Sequence, residues 1–254
     1  MVANKKTGII GAMPEEIDAV ANLLEERTEE TIGMRTYYSG IINGVATVVV
    51  FCRWGKVAAA TTVSTLIHRF GITDLIFTGV AGAINSALRI GDIVIGARLI
   101  QHDMDARPLM PQYQIPLLGK DFFEIENENI NRMADIIGSA IKENKFLLGS
   151  TDLAKQFNIT HPKIFIGDIA SGDQFISGSA QRTKIISQLP SVLCVEMEGA
   201  AVAQVCYENA IPFVVIRVIS DAADEESEMD FPLFIKEVAS LYSLQIIKAI
   251  YGLK

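Results

Sequence analysis

Short apolar runs alternate along this chain with longer stretches in which apolar residues recur at helical spacing. The runs have the length of buried strands, and they cover 7–10, 46–51, 75–78, 93–95, 164–166, 192–195 and 213–219. The helical stretches cover 56–70, 130–143, 180–188, 199–209 and 231–251. This alternation predicts an α/β fold built on a largely parallel sheet.

A further helix is predicted directly after the first apolar run. Pro14 suits the first helical position, and Ile17 and Val20 begin an apolar face at helical spacing. Glu16 therefore lies in the first turn of this helix.

One hairpin is predicted near the start of the sheet. Asn43 and Gly44 separate two β-rich runs between Tyr37 and Phe51, and this dipeptide favours a two-residue hairpin turn. The hairpin adds an antiparallel element, so we expect a mixed sheet.

The least regular segment, 106–126, contains three prolines among apolar residues. It is too apolar to stand free in water. We expect it to pack on its own subunit or on a second copy, which makes a homodimer the expected assembly.

Composition limits the classes of function. The chain has 254 residues, half of them hydrophobic, and we expect one domain over 1–254. Its net charge of -8 and scattered lysines and arginines argue against a nucleic-acid partner. The apolar runs are too short to span a membrane, and no secretory signal is predicted at the start. Three cysteines without paired spacing are typical of reduced thiols, so a cytoplasmic location is expected.

Four polar or glycine-rich stretches follow predicted strands: GAMPEE, TGVAG, VEMEG and SDAAD. Carboxyl ends of parallel strands meet at one edge of a sheet, where ligands bind. We therefore expect Glu16, Glu196, Glu198 and Asp221 to surround one opening. Clustered acids raise one another's pKa, so one stays protonated while another accepts a proton, as hydrolysis of a glycosidic bond requires.

Each carboxylate also has a simpler interpretation. Glu196 or Glu198 would cap the following helix, Asp221 would cap a helical stretch, and Glu16 would be a solvated first-turn residue. The residues alone leave these alternatives open.

Six motifs carry a family resemblance: GIIGAMPEE, GKVAAA, FTGVAG, SGDQFISG, VEMEGAAVA and VVIRVISDAAD. Their order resembles that in the 5'-methylthioadenosine/S-adenosylhomocysteine nucleosidases of the purine nucleoside phosphorylase superfamily. The resemblance is nearly full length. It implies a three-layer α/β/α fold with a mixed, distorted sheet, a homodimer, and hydrolysis of an adenine nucleoside in methionine salvage without metal or cofactor.

The resemblance also assigns roles to the acids and their neighbours. Asp221, oriented by Ser220, resembles the acid that protonates adenine N7. Glu16, with Arg217 nearby, resembles the base that holds the attacking water. Glu198 resembles the acceptor for the ribose hydroxyls.

Apolar positions complete the resemblance. Phe175 resembles the aromatic residue that stacks on adenine, and the backbone of Ile176 would bind the base edge. Met197 would pack on the sugar. Met13 and Phe231 resemble residues lining the alkylthio and sugar region. For Phe175, Met13 and Phe231, ordinary core packing is the alternative.

The chain departs from the family at two points. Val80 stands where a serine often positions water, and the run from Arg53 to Lys56 is unusual. The segments 109–126 and 146–162 also look longer or different. Substrate range is therefore open, and hydrolysis of aminodeoxyfutalosine is an alternative.

Local motifs also bear on other functional classes. A phosphorylase needs donors for phosphate, and Glu15 and Glu16 after the first strand would repel an anion, although Arg53, Lys56 and Arg217 supply positive charge. A binding module without turnover is the other alternative.

HDMD at 102–105 lacks the ligand spacing of a metal site, and the glycine motifs of dinucleotide and P-loop proteins are absent.

Overall fold

The computed structural model describes residues 5–143, 145–146, 157, 159, 161–224, 231 and 233–253. The strands in these residues are β1 (Lys6–Gly11), β2 (Glu25–Ile32), β3 (Arg35–Ile42), β4 (Val45–Phe51), β5 (Asp74–Ala83), β6 (Ile93–Gln101), β7 (Phe122–Glu124), β8 (Ile164–Ser171), β9 (Val192–Glu196) and β10 (Phe213–Asp221). The helices are α1 (Pro14–Ala21), α2 (Lys56–His68), α3 (Asn127–Lys142), α4 (Ser179–Gln188), α5 (Gly199–Glu208) and α6 (Ser240–Ile250). A π-helical turn at Ile235–Ala239 precedes α6.

The strands form one mixed sheet, as predicted. Strands β4, β1, β5 and β10 lie side by side and parallel. The sheet then closes on itself, because β5 pairs with both β10 and β9, while β6 and β8 connect β10 to β9. This ring of five strands is the distortion that the family resemblance implies.

One expectation about the sheet was wrong. Strand β9 is antiparallel to β5 rather than part of one parallel series, with Gly82 opposite Val195. The closure of the ring bends the end of β5 across the end of β9. The VEMEG and TGVAG segments therefore still meet.

The predicted hairpin is confirmed. Strands β3 and β4 are antiparallel, and Asn43 (φ 45°) and Gly44 (φ 78°) both have the left-handed backbone of a tight hairpin turn. Strand β2 was not predicted, because its side chains are mostly exposed and charged. It pairs with β3 at the edge of the sheet, where charge discourages pairing with another chain.

The helices form two packed groups. Helices α1 and α3 both contact α6, and α2 contacts α5. Strand β10 is buried along its whole length, as expected of a strand covered on both faces.

The helix predicted over 231–251 is interrupted by the π-helical turn, and residue 232 lies outside the described residues. Among the described residues, no helix has the length and apolar character needed to cross a bilayer.

The 106–126 segment is divided between the core and the surface. Ile115 and Phe123 are buried, whereas Leu109 and Leu117 are 87% and 94% exposed. Packing on the same subunit therefore accounts for only part of its apolar character. Most of the 146–162 segment lies outside the described residues.

Candidate active site

Strand ends and the loops that follow them surround a cavity of about 510 Å³. This volume suits a small organic ligand. Nine of the twelve predicted site residues line it: Met13, Val80, Phe175, Ile176, Glu196, Met197, Glu198, Asp221 and Phe231. The other three, Glu16, Arg217 and Ser220, are buried and hydrogen bonded to residues of the lining.

Glu16 is held in the first turn of α1 with 0% of its surface exposed, so it is not a solvated glutamate. Its Oε2 accepts hydrogen bonds from the backbone N–H groups of Ala12 and Met13, each at 3.0 Å. Its Oε1 has no hydrogen-bond partner. Burial raises the pKa of Glu16 to about 7, although the Arg217 guanidinium and the two amides oppose the shift.

Glu196 and Arg217 form a buried ion pair beneath the cavity. Arg217 Nη2 lies 2.6 Å from Glu196 Oε2, and Arg217 is 1% exposed. Glu196 also accepts the hydroxyl of Ser171 and the N–H groups of Glu198 and Gly199. Glu196 thus caps α5, as the simpler interpretation of its sequence position suggested, and its oxygens are occupied within the protein.

Gly79 brings Arg217 and Glu16 to the same small space. A methyl group built on Gly79 would meet Arg217 Nη1 at 3.4 Å and Glu16 Oε1 at 3.5 Å. The unpartnered oxygen of Glu16 therefore shares this space with a guanidinium donor. A carboxylate oxygen next to a guanidinium can bind one small polar molecule that both donates and accepts hydrogen bonds, as water does.

Glu198 occupies the wall next to Glu196. Its Oε1 accepts the N–H of Gly55 at 2.7 Å. Burial, and then the negative charge of Glu196, raise its pKa to about 8. Glu16 and Glu198 therefore both exchange protons near neutral pH, a property that clusters at functional sites.

Asp221 lies at the end of β10 and is 2% exposed. The Ser220 hydroxyl donates to its Oδ2 at 2.7 Å, and the N–H of Ala223 donates to its Oδ1 at 2.8 Å. Gly82 leaves room for this carboxyl, since a methyl group there would lie 2.8 Å from Asp221 Oδ1. The side chain both stabilises its own turn and faces the cavity.

Aromatic residues form part of the rim. Phe175, which is 42% exposed and so not a core residue, meets Phe231 edge to face at a centroid distance of 5.3 Å. Trp54, which we did not predict, donates its indole N–H to the Met13 sulfur at 3.2 Å. The unusual run from Arg53 to Lys56 was the sequence signal that marked it.

An ionic network beside the cavity ties three loops together. Lys56 Nζ lies 2.7 Å from Asp103 Oδ1, and Asp103 Oδ2 accepts the N–H of Asp173 at 2.9 Å. Asp173 in turn accepts the N–H of Lys56 at 2.8 Å. The network fixes the loop of Gly55, which binds Glu198, against the loop that carries Phe175. Sequence reasoning missed it because its members are far apart in the chain.

We expect Gly172→Ala to disturb the same loop. A methyl group at Gly172 would lie 2.4 Å from His102 Nε2, inside contact distance. Such overpacking costs about 1–3 kcal/mol in the free energy of unfolding, measurable by urea denaturation.

Two variants control this prediction. Gly138→Ala, in α3, adds a methyl group at an ordinary 3.7 Å from its neighbour and should be neutral or stabilising by up to about 1 kcal/mol. Adding His102→Ala to Gly172→Ala should recover stability. A Gly172→Ala protein as stable as the parent would contradict the contact.

Comparison with known proteins places the chain in a family. A family model described as "Phosphorylase superfamily" matches residues 6–251. A 5'-methylthioadenosine/S-adenosylhomocysteine nucleosidase of Staphylococcus aureus is 34% identical over 244 residues, 96% of this chain and 97% of that protein.

Solved structures agree with this placement. A 5'-methylthioadenosine/S-adenosylhomocysteine nucleosidase of S. pneumoniae with a transition-state inhibitor has a TM-score of 0.82 and 33% identity, covering 97% of this chain and 98% of that chain. A futalosine hydrolase of Helicobacter pylori has a TM-score of 0.79 and 31% identity, covering 98% of each chain. The chain belongs to the phosphorylase superfamily and, within it, to the family of the 5'-methylthioadenosine/S-adenosylhomocysteine nucleosidases.

Proposed function

We propose that this protein hydrolyses the N-glycosidic bond of 5'-methylthioadenosine and S-adenosylhomocysteine, releasing adenine and the thioribose product. The observation that carries the proposal is that the Asp221 carboxyl lines the cavity, while the buried Glu16, with its unpartnered Oε1, lies directly behind the lining residues Ala12 and Met13. The relatives from Staphylococcus aureus and S. pneumoniae are named as nucleosidases of these two compounds.

Asp221 is the general acid in this proposal. As adenine leaves, negative charge develops on the base, and a proton delivered to N7 neutralises it. The hydrogen bonds from Ser220 and Ala223 orient the carboxyl for this transfer. Phe175 stacks on the base, and the backbone of Ile176 binds its edge.

Glu16 is the general base. Its Oε1 accepts a proton from water, in the space beside Gly79 that it shares with the positively charged Arg217. Glu196 keeps Arg217 in place through the buried ion pair. Val80 has no hydroxyl to offer, so the water depends on these charged groups.

Glu198 binds the ribose hydroxyls. A carboxylate accepts two hydroxyl donors, and the N–H of Gly55 fixes its orientation. Met197 packs on the sugar. Met13 and Phe231 line the space beyond it.

Water rather than phosphate is the nucleophile in this proposal, because the cations near the cavity are already engaged. Lys56 pairs with Asp103, Arg217 pairs with Glu196, and Arg53 donates to the carbonyl of Met34. Among the described residues that line the cavity there is no lysine, arginine or histidine. Phosphate binding needs such donors.

The structural likeness to a futalosine hydrolase supports a nucleoside of the futalosine type, such as aminodeoxyfutalosine, as the second candidate substrate. A binding module without turnover is less well supported. Burying Glu16 with one oxygen unpartnered is costly, and a binder gains nothing from it.

The test is a panel of methylthioadenosine, adenosylhomocysteine, adenosine, inosine and aminodeoxyfutalosine, each with and without phosphate. We expect free adenine from the first two in phosphate-free buffer. A sugar 1-phosphate formed only with phosphate would identify a phosphorylase, and binding without base release would identify a binding module.

We also propose that the chain folds as one domain over 1–254 and works as a homodimer in the cytoplasm. The single sheet and the three buried, free cysteines support the domain and the reducing compartment. The exposed Leu109 and Leu117 support a partner surface, because large apolar side chains in one loop favour burial.

Light scattering should therefore give twice the chain mass of 27.7 kDa. Leu109→Asp should shift this mass towards that of the monomer, because a charge would be buried at the interface. Met34→Asp, a change to an exposed apolar side chain outside the loop, is the control for nonspecific effects. A stable monomer in the unmodified protein would contradict the dimer.

A further inference from the structure

The N-terminus of α2 lies between two loops that border the cavity. Its N-cap residue, Gly55, has no side chain with which to cap the helix, so the first backbone N–H groups need acceptors from elsewhere. Glu198 Oε1 accepts the N–H of Gly55 at 2.7 Å. Asp173 Oδ1 accepts the next N–H, that of Lys56, at 2.8 Å. The carboxylate that binds the ribose in the proposed function and a second, exposed carboxylate therefore hold consecutive amides of one turn.

The turn that carries these amides has an unfavourable backbone. Arg53 and Gly55 are both left-handed, with φ values of 67° and 87°, and a residue with a side chain such as arginine adopts this conformation rarely. The turn also lies close to Asp173, because a methyl group built on Gly55 would be 2.9 Å from Asp173 Oδ1. Such a backbone persists only while its surroundings hold it. Asp173 is therefore placed to set the direction of the Gly55 N–H.

The loop of Asp173 is anchored independently of the Asp173 carboxylate. Its backbone N–H donates to Asp103 Oδ2 at 2.9 Å, and Asp103 Oδ1 pairs with Lys56 Nζ at 2.7 Å. Although burial works against it, the hydrogen bonds from Lys56 and from the Asp173 N–H lower the pKa of Asp103, so this anchor stays ionised at neutral pH. A change to the Asp173 side chain thus removes its contact with α2 and leaves the loop of Phe175 anchored.

Glu198 depends on the Gly55 N–H for both its orientation and its charge. Burial and the nearby charge of Glu196 raise the pKa of Glu198 to about 8, and the Gly55 N–H opposes this shift. An ionised carboxylate accepts two hydroxyl donors, whereas a protonated carboxyl uses one of its oxygens as a donor. Without the Gly55 contact, Glu198 would turn more freely and hold a proton more often, and it would accept a pair of hydroxyls less well.

We propose that Asp173 is a positioning residue for recognition of the ribose. By holding the Lys56 N–H, it keeps the adjacent Gly55 N–H on Glu198, which in turn accepts the ribose hydroxyls. This inference rests on the proposed function, because that function places the ribose at Glu198. It adds to the function a residue that is itself outside the cavity lining, although its neighbours Gln174 and Phe175 belong to the lining.

The first test compares kcat/KM for 5'-methylthioadenosine with that for its 3'-deoxy analogue. The ratio should fall about five- to tenfold in Asp173→Ala, because the hydrogen bond from the 3'-hydroxyl to a charged acceptor is weakened. Asp173→Asn should keep the ratio within about twofold of the parent value, since its amide oxygen can still accept the Lys56 N–H even though the 4.0 Å pairing with Lys56 Nζ is lost. Asp135→Ala, a change to an exposed aspartate of α3 outside the lining, is the matched control and should leave the ratio unchanged.

The second test measures binding without turnover. Calorimetry gives the dissociation constants of adenine, of 5'-methylthiotubercidin, which has carbon in place of N7 and cannot be protonated there, and of its 3'-deoxy analogue. In Asp173→Ala the affinity ratio of the two nucleosides should fall about five- to tenfold. The affinity for adenine should change by about threefold at most, because Asp103 still anchors the loop of Phe175. A general collapse of that loop would weaken adenine binding as well.

A double-mutant cycle tests whether Asp173 acts through Glu198. In Glu198→Ala the acceptor of the ribose hydroxyls is absent, so adding Asp173→Ala should change the affinity ratio of the two nucleosides by less than about twofold. In the parent protein the same substitution should have its full effect. Equal effects in the two backgrounds would overturn the inference.

These tests separate the inference from the function on which it rests. An unchanged ratio in Asp173→Ala, equal losses in Asp173→Ala and Asp173→Asn, or a loss of adenine affinity as large as the loss of nucleoside affinity would each overturn the positioning role. Absence of adenine release from every nucleoside by the unmodified protein would overturn the proposed function, and the binding ratios would still decide the role of Asp173. Failure of both nucleosides to bind the unmodified protein would overturn both.

Discussion

Asp221→Asn is expected to lower kcat for adenine release by about 10²- to 10⁴-fold, the usual contribution of a general acid. Asparagine has nearly the same shape: its Oδ1 still accepts the N–H of Ala223, and its Nδ2 donates to the Ser220 hydroxyl, which can donate to the carbonyl of Ala81 instead. It has no acidic proton to give to the leaving base. The dissociation constant of a non-hydrolysable nucleoside analogue should therefore change far less than kcat.

The measurement is steady-state release of adenine together with calorimetric binding of the analogue. Asp74→Asn is the matched control, since Asp74 begins β5 at the end of the strand away from the cavity and pairs with Lys5. It should retain activity within about twofold, as expected of a weak surface ion pair. Equal losses in the two variants, or a loss of binding equal to the loss of kcat in Asp221→Asn, would refute the acid role.

Glu16→Gln should have opposite effects on activity and stability. Activity should fall by about 10²- to 10⁴-fold, because an amide cannot accept a proton from water at neutral pH. Stability at pH 8 should rise, because the parent protein keeps a buried charge that the amide lacks. The amide oxygen can still accept the N–H groups of Ala12 and Met13.

The sign and pH window of the stability effect follow from the pKa of Glu16. Burial raises this pKa from 4.5 to about 7, so the folded state binds the proton more tightly than the unfolded state. The associated stability is present below pH 4.5 and is lost as the pH rises through 7. The raised pKa therefore costs about 3 kcal/mol of stability at pH 8, where folded Glu16 is ionised, and about 1 kcal/mol near pH 5, where only the unfolded chain gains by ionising.

Urea denaturation of both proteins at pH 5 and pH 8 measures this difference. We expect Glu16→Gln to be more stable by about 1–3 kcal/mol at pH 8 and by less at pH 5. In the parent protein kcat/KM should fall on the acid side below pH about 7, where Glu16 takes up its proton. A Glu16→Gln protein that is less stable at pH 8, or that retains full activity, would contradict the assignment.

The placement of the acids was predictable because strand ends in a parallel sheet share one edge. GAMPEE and SDAAD each follow an apolar run, so Glu16 and Asp221 were expected at the same opening without knowledge of any contact. The hairpin was equally predictable, since Asn43 and Gly44 tolerate the backbone that its turn needs.

The remaining features depend on contacts between distant segments. Strand β2 has few apolar side chains, and its extended form comes from pairing with β3. The ion pair of Glu196 with Arg217 requires β9 to fold across β5, a closure that no local pattern encodes. Local propensity carries no information on such pairings, and the same holds for the network of Lys56 and Asp103.

Strand β10 carries Arg217, Ser220 and Asp221 and is buried throughout, whereas Trp54, Phe175 and Phe231 sit on partly exposed segments at the rim. A substitution on this strand disturbs folding and chemistry together, but a substitution at the rim alters which molecules are admitted at little cost to the core. The substrate range of this fold can therefore change during evolution while the reaction stays the same. Related enzymes would then differ first in the loops at the rim of the cavity and last in strand β10.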